Sequence, residues 1–147
     1  MRTPPIDPAF FAANRNRLAA LLEPRSLAVL HGNDRMPTSG DGVHPFRQQS
    51  DLFYLCGIDQ EETVLLLFPQ AREAGDREIL FVRPADERLA LWEGAPLAFE
   101  EARRRSGVAT VRSVLEFEAA FRRLALEAER IYLNANEHPR AASEVET

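Results

Sequence analysis

A compact run of hydrogen-bonding side chains lies within residues 44–58, HPFRQQSDLFYLCGI. Arg47, Gln48, Gln49, Ser50 and Asp51 follow one another directly before an aromatic segment. The guanidinium group of Arg47 can hold a carboxylate or backbone carbonyls, and Asp51 can accept from Arg47 or from a backbone N–H group. We interpret these side chains as partners for the backbone of a buried loop. The alternative is that they line an interface or the mouth of a site.

The other chemically active residue types do not form a familiar catalytic pattern. The sequence contains no glycine-rich phosphate loop, no G-x-S-x-G and no H-E-x-x-H. His31, His44 and His138 are too scattered to predict a metal site. Cys56 lies among large apolar residues, which predicts a raised pKa and an inert thiol. Trp92 lies in a polar stretch before a glycine, and its indole could close the core or face a ligand.

Composition narrows the class of protein. A chain of 147 residues fits one domain, which buries about 70% of its unfolded surface. The net charge is −5 and the cations are interspersed with acids, which disfavours a nucleic-acid surface. All 18 cations are arginine, so the chain offers no lysine for a Schiff base or a phosphate loop. The single cysteine, and the lack of a signal-peptide pattern or a run of about 20 apolar residues, predict a cytoplasmic protein.

The first half of the chain predicts one helix followed by four strands. Asp7 and Pro8 form a helix-start pattern, and an amphipathic helix is predicted over residues 8–22. Its apolar face is assigned to Phe11, Leu18 and Leu22, and its other faces to Asn14, Arg15 and Arg17. The predicted strands are SLAVLHG, DLFYLCGI, ETVLLLFP and REILFVRP, the last two forming an antiparallel hairpin. DLFYLCGI has apolar residues at both its odd and its even positions, and Leu52, Tyr54, Cys56 and Ile58 are placed on one face of the predicted strand.

The second half predicts two helices that alternate with two strands. A helix over residues 97–106 has acids early and arginines late, and Gly107 is placed to end it. Ser113 and Glu116 predict a capping box before a helix over residues 115–129. VATVRSV and RIYLNAN are the strands, which gives the order α-β-β-β-β-α-β-α-β. The prediction is an α/β domain with a mixed sheet of about six strands flanked by helices.

The longest patterned segment, HPFRQQSDLFYLCGIDQEETVLLLF, resembles the N-terminal domain of aminopeptidase P, in the creatinase and prolidase superfamily. In that family an aromatic-Pro-aromatic-Arg-Gln-x-Ser-Asp-aromatic run leads into Tyr-x-x-Gly, followed by an acid and an apolar strand. This chain departs from the pattern at His44 and Leu52, where the family has aromatic residues. The resemblance continues to about residue 135 and implies the same kind of fold, a mixed sheet flanked by helices.

The resemblance also implies that the parent protein has two domains with different roles. Residues 1–137 would be the N-terminal domain, and residues 138–147 the start of a linker to a catalytic domain of pita-bread fold that binds two manganese ions. The present chain alone would then be inactive and would hold no cofactor. It would shape the active-site mouth, help to build a homo-oligomer and meet proline-containing peptides. Trp92, Asp41 and Arg47 are the residues that the resemblance places at the rim of the substrate pocket.

Three alternatives remain at this point. The parent protein could be an Xaa-Pro dipeptidase, which shares the fold. The chain could be a free-standing binding module without an enzymatic parent. It could also be a self-contained hydrolase that uses Asp41, Asp51 or Glu61.

Overall fold

A five-stranded mixed sheet forms the centre of the protein. The computed structural model describes residues 6–32, 50–83 and 98–134. The strands of these residues are β1 (Ser26–His31), β2 (Val64–Leu67), β3 (Glu78–Val82), β4 (Thr110–Ser113) and β5 (Arg130–Leu133). Their order in the sheet is β4-β3-β2-β1-β5. The pairs β1–β2 and β2–β3 are antiparallel, whereas β3–β4 and β1–β5 are parallel.

Four α-helices of the described residues pack on the two faces of this sheet. They are α1 (Pro8–Leu21), α2 (Ser50–Cys56), α3 (Phe99–Ser106) and α4 (Phe117–Ala125). Two single turns of 3₁₀ helix accompany them, η1 (Ala74–Asp76) and η2 (Val114–Glu116). No helix in the described ranges is long and apolar enough to cross a membrane.

The core consists of two apolar layers separated by the sheet. Ala28 and Leu30 of β1 face a cluster with residues of α1, α2 and α3, while Leu27 and Val29 face a cluster with residues of α4. This division follows from the alternation of side chains along a strand. Strands β1, β2 and β3 are apolar at nearly every position because both of their faces are covered.

Local signals fix most of the element boundaries. The Asp7 carboxylate accepts from the Ala9 N–H and caps α1, with Pro8 at the first helical position. Gly107 ends α3 in the left-handed conformation, at a φ of 77°. The capping box between Ser113 and Glu116 is present and starts η2. These three predictions are confirmed, as is the antiparallel hairpin of β2 and β3.

The prediction of a strand over DLFYLCGI is wrong, because Ser50–Cys56 is helix α2. Leu52, Leu55 and Cys56, spaced as on one face of a helix, are buried, whereas Tyr54 is 47% exposed. The segment is apolar at both parities, so periodicity alone does not distinguish a buried strand from a short helix. As a helix, the segment packs Leu52, Leu55 and Cys56 into the apolar cluster on one face of the sheet. The described residues therefore have five strands instead of about six.

Candidate functional site

The three residues predicted at the pocket rim, Trp92, Asp41 and Arg47, lie outside the described residues. The polar run that begins with Arg47 enters the described part of the chain at its last two members, Ser50 and Asp51. These are the first two residues of α2, and both are exposed. The surface beside the start of α2 is therefore where the described residues meet the sequence motif.

A groove between α1 and α2 adjoins this point, and we call it the α1–α2 groove. Its volume is about 420 Å³. Its lining residues are Ile6, Phe10, Phe11, Ser50, Phe53, Tyr54 and Asp59. Five of these seven side chains are apolar or aromatic, so the groove suits an apolar partner more than a charged one.

Aromatic rings form the walls of the α1–α2 groove. Phe10 meets Phe11 and Tyr54 edge to face, with ring centroids 5.4 and 6.0 Å apart, and Phe11 meets Phe53 in the same way at 6.1 Å. Edge-to-face contacts of this kind stabilise pairs by about 0.5–1.5 kcal/mol beyond their burial. Phe10 and Tyr54 remain about half exposed, at 48% and 47%. About half of the surface of each residue is thus available for contact.

Polar side chains of α1 join this helix to the C-terminal turns of α2 and α3. Asn14 donates from Nδ2 to the Tyr54 carbonyl oxygen at 2.8 Å. Arg15 donates from Nη1 to the carbonyl oxygens of Leu55 at 2.8 Å and Ser106 at 2.7 Å. These carbonyls belong to the last turns of α2 and α3, where backbone carbonyl groups have no hydrogen-bond partner within their own helix. A positive charge at a helix C-terminus also opposes the negative end of the helix dipole.

Arg15 is the main residue that the sequence prediction misplaced. It was assigned with Asn14 to the polar faces of α1, yet both are buried, at 1% and 2% exposure. Arg15 also donates from Nε to the Glu78 carboxylate of β3 at 3.1 Å. The signal was present in the spacing, since Asn14 and Arg15 follow Phe11 by three and four residues and so share its face.

Glycine is required where α2 ends against α1. Gly57 has a φ of 69°, and its N–H donates to the Phe53 carbonyl at 2.8 Å. A Cβ atom at this position would overlap the ring of Phe11. The backbone of α2 can therefore approach the aromatic wall because residue 57 has no side chain.

The titratable groups with shifted pKa values lie away from the groove or are inert. Burial raises the pKa of the Cys56 thiol to about 12, which confirms the expected raised value and keeps the thiol protonated. Arg123 of α4 donates from Nη1 and Nη2 to the carboxylate oxygens of Asp76 in η1, at 2.8 and 3.1 Å. These hydrogen bonds lower the pKa of Asp76. In the described residues, no three His, Cys, Asp or Glu side chains group as metal ligands.

Comparison with known proteins shows which family the sequence belongs to. Residues 11–132 match the family described as aminopeptidase P, N-terminal domain. The chain belongs to this family. The match covers most of the chain, including the whole of the described range 50–83 and most of the other two. The predicted resemblance and the predicted fold class are therefore confirmed.

Individual relatives agree with this assignment. An Xaa-Pro aminopeptidase of Haemophilus influenzae is 33% identical over 107 residues, which are 73% of this chain and 24% of that protein. Intermediate cleaving peptidase 55 of Saccharomyces cerevisiae is 37% identical over 93 residues, 63% of this chain and 18% of that protein. The chain thus spans about a quarter or less of the length of these two relatives.

Solved structures show the same fold. The aminopeptidase PepP of Pseudomonas aeruginosa superposes with a TM-score of 0.81 at 27% identity, covering 93% of this chain and 30% of that one. Aminopeptidase P of Escherichia coli with the inhibitor Pro-Leu gives a TM-score of 0.79 at 26% identity, covering 96% and 31%. The part of the fold that this chain shares is less than a third of each enzyme.

Proposed function

We propose that this chain is the N-terminal domain of a manganese-dependent Xaa-Pro aminopeptidase, which removes the N-terminal residue that precedes proline. The family match over residues 11–132 is the observation that carries the proposal. The relative named Xaa-Pro aminopeptidase has about three quarters of its length outside the shared segment. Residues 1–137 would form the domain, and residues 138–147 would begin a linker to a C-terminal catalytic domain of the same parent chain.

The metal chemistry would belong to that C-terminal domain. The described residues bring together no set of three metal-ligand side chains, so none of them is given a catalytic step. The chemistry that a pair of metal ions bound there would supply is activation of water as the nucleophile and stabilisation of negative charge on the substrate oxygen. The domain described above would position the peptide and limit access of water.

The role proposed for the domain is to shape the active-site mouth and to contribute contacts within a homo-oligomer. Trp92, Asp41 and Arg47 are proposed as rim residues, and the flat indole suits a proline ring or the side chain beside it. The α1–α2 groove supports the assembly role, since its half-exposed Phe10 and Tyr54 offer apolar contact area next to the family motif. The lone cysteine supports a cytoplasmic location.

The decisive experiment compares the 147-residue chain with a longer protein that includes the sequence encoded after residue 147. Both are assayed with Mn²⁺ on an Xaa-Pro tripeptide and an Xaa-Pro dipeptide. We expect cleavage of the tripeptide by the longer protein and none by the 147-residue chain. Cleavage restricted to the dipeptide would favour an Xaa-Pro dipeptidase. Metal-stimulated cleavage by the 147-residue chain would refute the proposal.

Trp92 gives a test of the rim assignment. We expect Trp92→Ala in the longer protein to lower kcat/KM about fivefold, which corresponds to about 1 kcal/mol, in the range of aromatic contacts. Trp92→Phe should retain most of the activity because it keeps a flat ring. Unchanged kinetics for Trp92→Ala, with unchanged thermal stability, would remove Trp92 from the site.

A further inference from the structure

A cavity lies at the end of the sheet where β2 ends and β3 and β4 begin, and we call it the sheet-end cavity. Its volume is about 510 Å³, which falls within the roughly 300–1,000 Å³ of small-molecule sites. Its charged lining consists of the side chains of Arg15, Arg77 and Glu78, which supply two guanidinium groups and one carboxylate. The cavity therefore presents both signs of charge to a ligand.

Helix α1 and the ends of three strands position this lining. Arg15 and Ala19 are four residues apart on α1 and so lie on the same face of the helix. Glu78 begins β3, where it pairs with Leu67, the last residue of β2. Thr110, which also lines the cavity, begins β4. The walls are therefore held by the helix and the sheet that form the core.

A buried cation holds the carboxylate of Glu78 in place. Arg15 donates from Nε to Oε2 of Glu78 at 3.1 Å, and its Nη1 donates to two backbone carbonyls at the ends of α2 and α3. The side chain of Arg15 is 1% exposed and that of Glu78 is 34% exposed. Oε1 of Glu78 makes no hydrogen bond to any described residue, so it can accept from a ligand. Because Arg15 fixes this carboxylate, a ligand does not have to order it.

Arg77 supplies the accessible positive charge of the cavity. Its Nε donates to the Ala71 carbonyl at 3.1 Å, which anchors the guanidinium group. Its Nη1 and Nη2 make no hydrogen bond to any described residue, and the residue is exposed. A guanidinium group binds a carboxylate through two parallel N–H···O bonds. Arg77 is therefore the expected partner of a ligand carboxylate.

Much of the remaining wall is apolar, formed by Ala19, Leu67, Pro69 and Ala74. This surface suits a short aliphatic group. A simple anion would meet the carboxylate of Glu78, and a simple cation would meet two guanidinium groups, so each would face a like charge. A ligand that carries both an ammonium and a carboxylate group matches the two signs of charge at once.

We propose that the sheet-end cavity binds a free α-amino acid with an aliphatic side chain. The ligand carboxylate accepts from Nη1 and Nη2 of Arg77, and the ligand ammonium group donates to Oε1 of Glu78. The aliphatic side chain lies on the apolar wall. Binding of this kind does not require peptidase activity, so it stands or falls separately from the proposed function.

Titration of the isotope-labelled 147-residue chain with L-leucine, followed by the chemical shifts of its backbone amides, tests the proposal. We expect saturable shifts centred on residues 74–78 and 109–110, which lie in or beside the cavity. Two analogues separate the contributions of the charges, since isocaproate lacks the ammonium group and L-leucinamide lacks the carboxylate. Each should bind about tenfold more weakly than L-leucine, because each loses a charge-assisted contact.

Two variants that remove a charge locate the site, and each has a control nearby in the sequence. Arg77→Gln and Glu78→Gln should each weaken the binding of L-leucine about tenfold. Arg72→Gln and Glu73→Gln are the matched controls, because both residues are exposed and neither lines the cavity, so binding should change less than about twofold. Arg77 is exposed, so its variant keeps the test valid if Glu78→Gln, which weakens the contact with Arg15, does not fold.

Absence of saturable shifts with L-leucine would overturn the proposal, and so would unchanged binding by a folded Arg77→Gln variant. Binding of isocaproate as tight as that of L-leucine would indicate a site for simple anions, and equally tight binding of L-leucinamide a site for cations. Either result would refute the assignment to amino acids. Cleavage of Xaa-Pro peptides by the longer protein has no bearing on these shifts, so the two proposals fail independently.

Discussion

Replacement of Arg15 by methionine tests whether this buried cation holds α1, α2 and α3 together. Methionine keeps an unbranched chain and removes every donor, which leaves the carbonyls of Leu55 and Ser106 without their bonds to Nη1. A buried acceptor that loses its partner costs about 1–3 kcal/mol. The ion pair with Glu78, whose side chain is 34% exposed, adds about 0–1 kcal/mol. For the two acceptors and the ion pair together, the expected loss is about 2–7 kcal/mol, with a central value near 4 kcal/mol.

This loss is a large fraction of the ~5–15 kcal/mol that stabilises a typical domain. Urea denaturation of the 147-residue chain measures it as a lower midpoint at an unchanged slope, by about 2 M for a slope near 2 kcal/mol/M. Arg17→Met is the matched control, because Arg17 lies on the same helix but is exposed, and it should change the stability by no more than about 0.5 kcal/mol. Arg15→Lys keeps the charge but loses the planar fork, so we expect an intermediate loss.

A midpoint for Arg15→Met equal to that of Arg17→Met would refute the reasoning. It would mean that the two carbonyls find water or other donors once the guanidinium group is removed. A change in the slope would instead indicate that the variant alters the folded or denatured state as a whole.

Three further changes test other parts of the fold. Gly57→Ala should destabilise by about 1–3 kcal/mol in thermal melts because of its positive φ and the crowded ring beside it. Gly75→Ala should be nearly neutral in such melts, because the added Cβ would meet only Thr110 Oγ1 at 3.8 Å, an ordinary contact. Asp76→Asn should cost about 1 kcal/mol at pH 7, since the partner Arg123 is 53% exposed. Because the folded pKa of Asp76 is lowered, this difference should be complete above the ordinary pKa of about 3.9 and shrink as the pH falls below it; a difference independent of pH would contradict the ion pair. Cys56 should resist alkylation at pH 8 in the folded chain and react on unfolding, and rapid labelling of the native chain would contradict its burial.

The candidate site was only partly predictable. The polar run before α2 was recognised as the family motif, but the α1–α2 groove depends on how two helices pack, and no local pattern specifies that. Arg15 was misplaced because an arginine on an amphipathic helix is usually assigned to solvent. It is buried because two helix C-termini converge on it and supply acceptors. The rim residues Trp92, Asp41 and Arg47 lie outside the described residues and stay predictions.

The sequence by itself determined the features that depend on neighbouring residues along the chain. The cap at Asp7, the left-handed Gly107, the capping box of Ser113 and the hairpin of β2 and β3 each follow from short-range hydrogen bonds or backbone sterics. Tertiary structure decided whether Ser50–Cys56 became a strand or a helix, and whether the apolar residues of β5 were covered. Those outcomes depend on which surfaces meet, because burial is a property of contacts between segments distant in sequence.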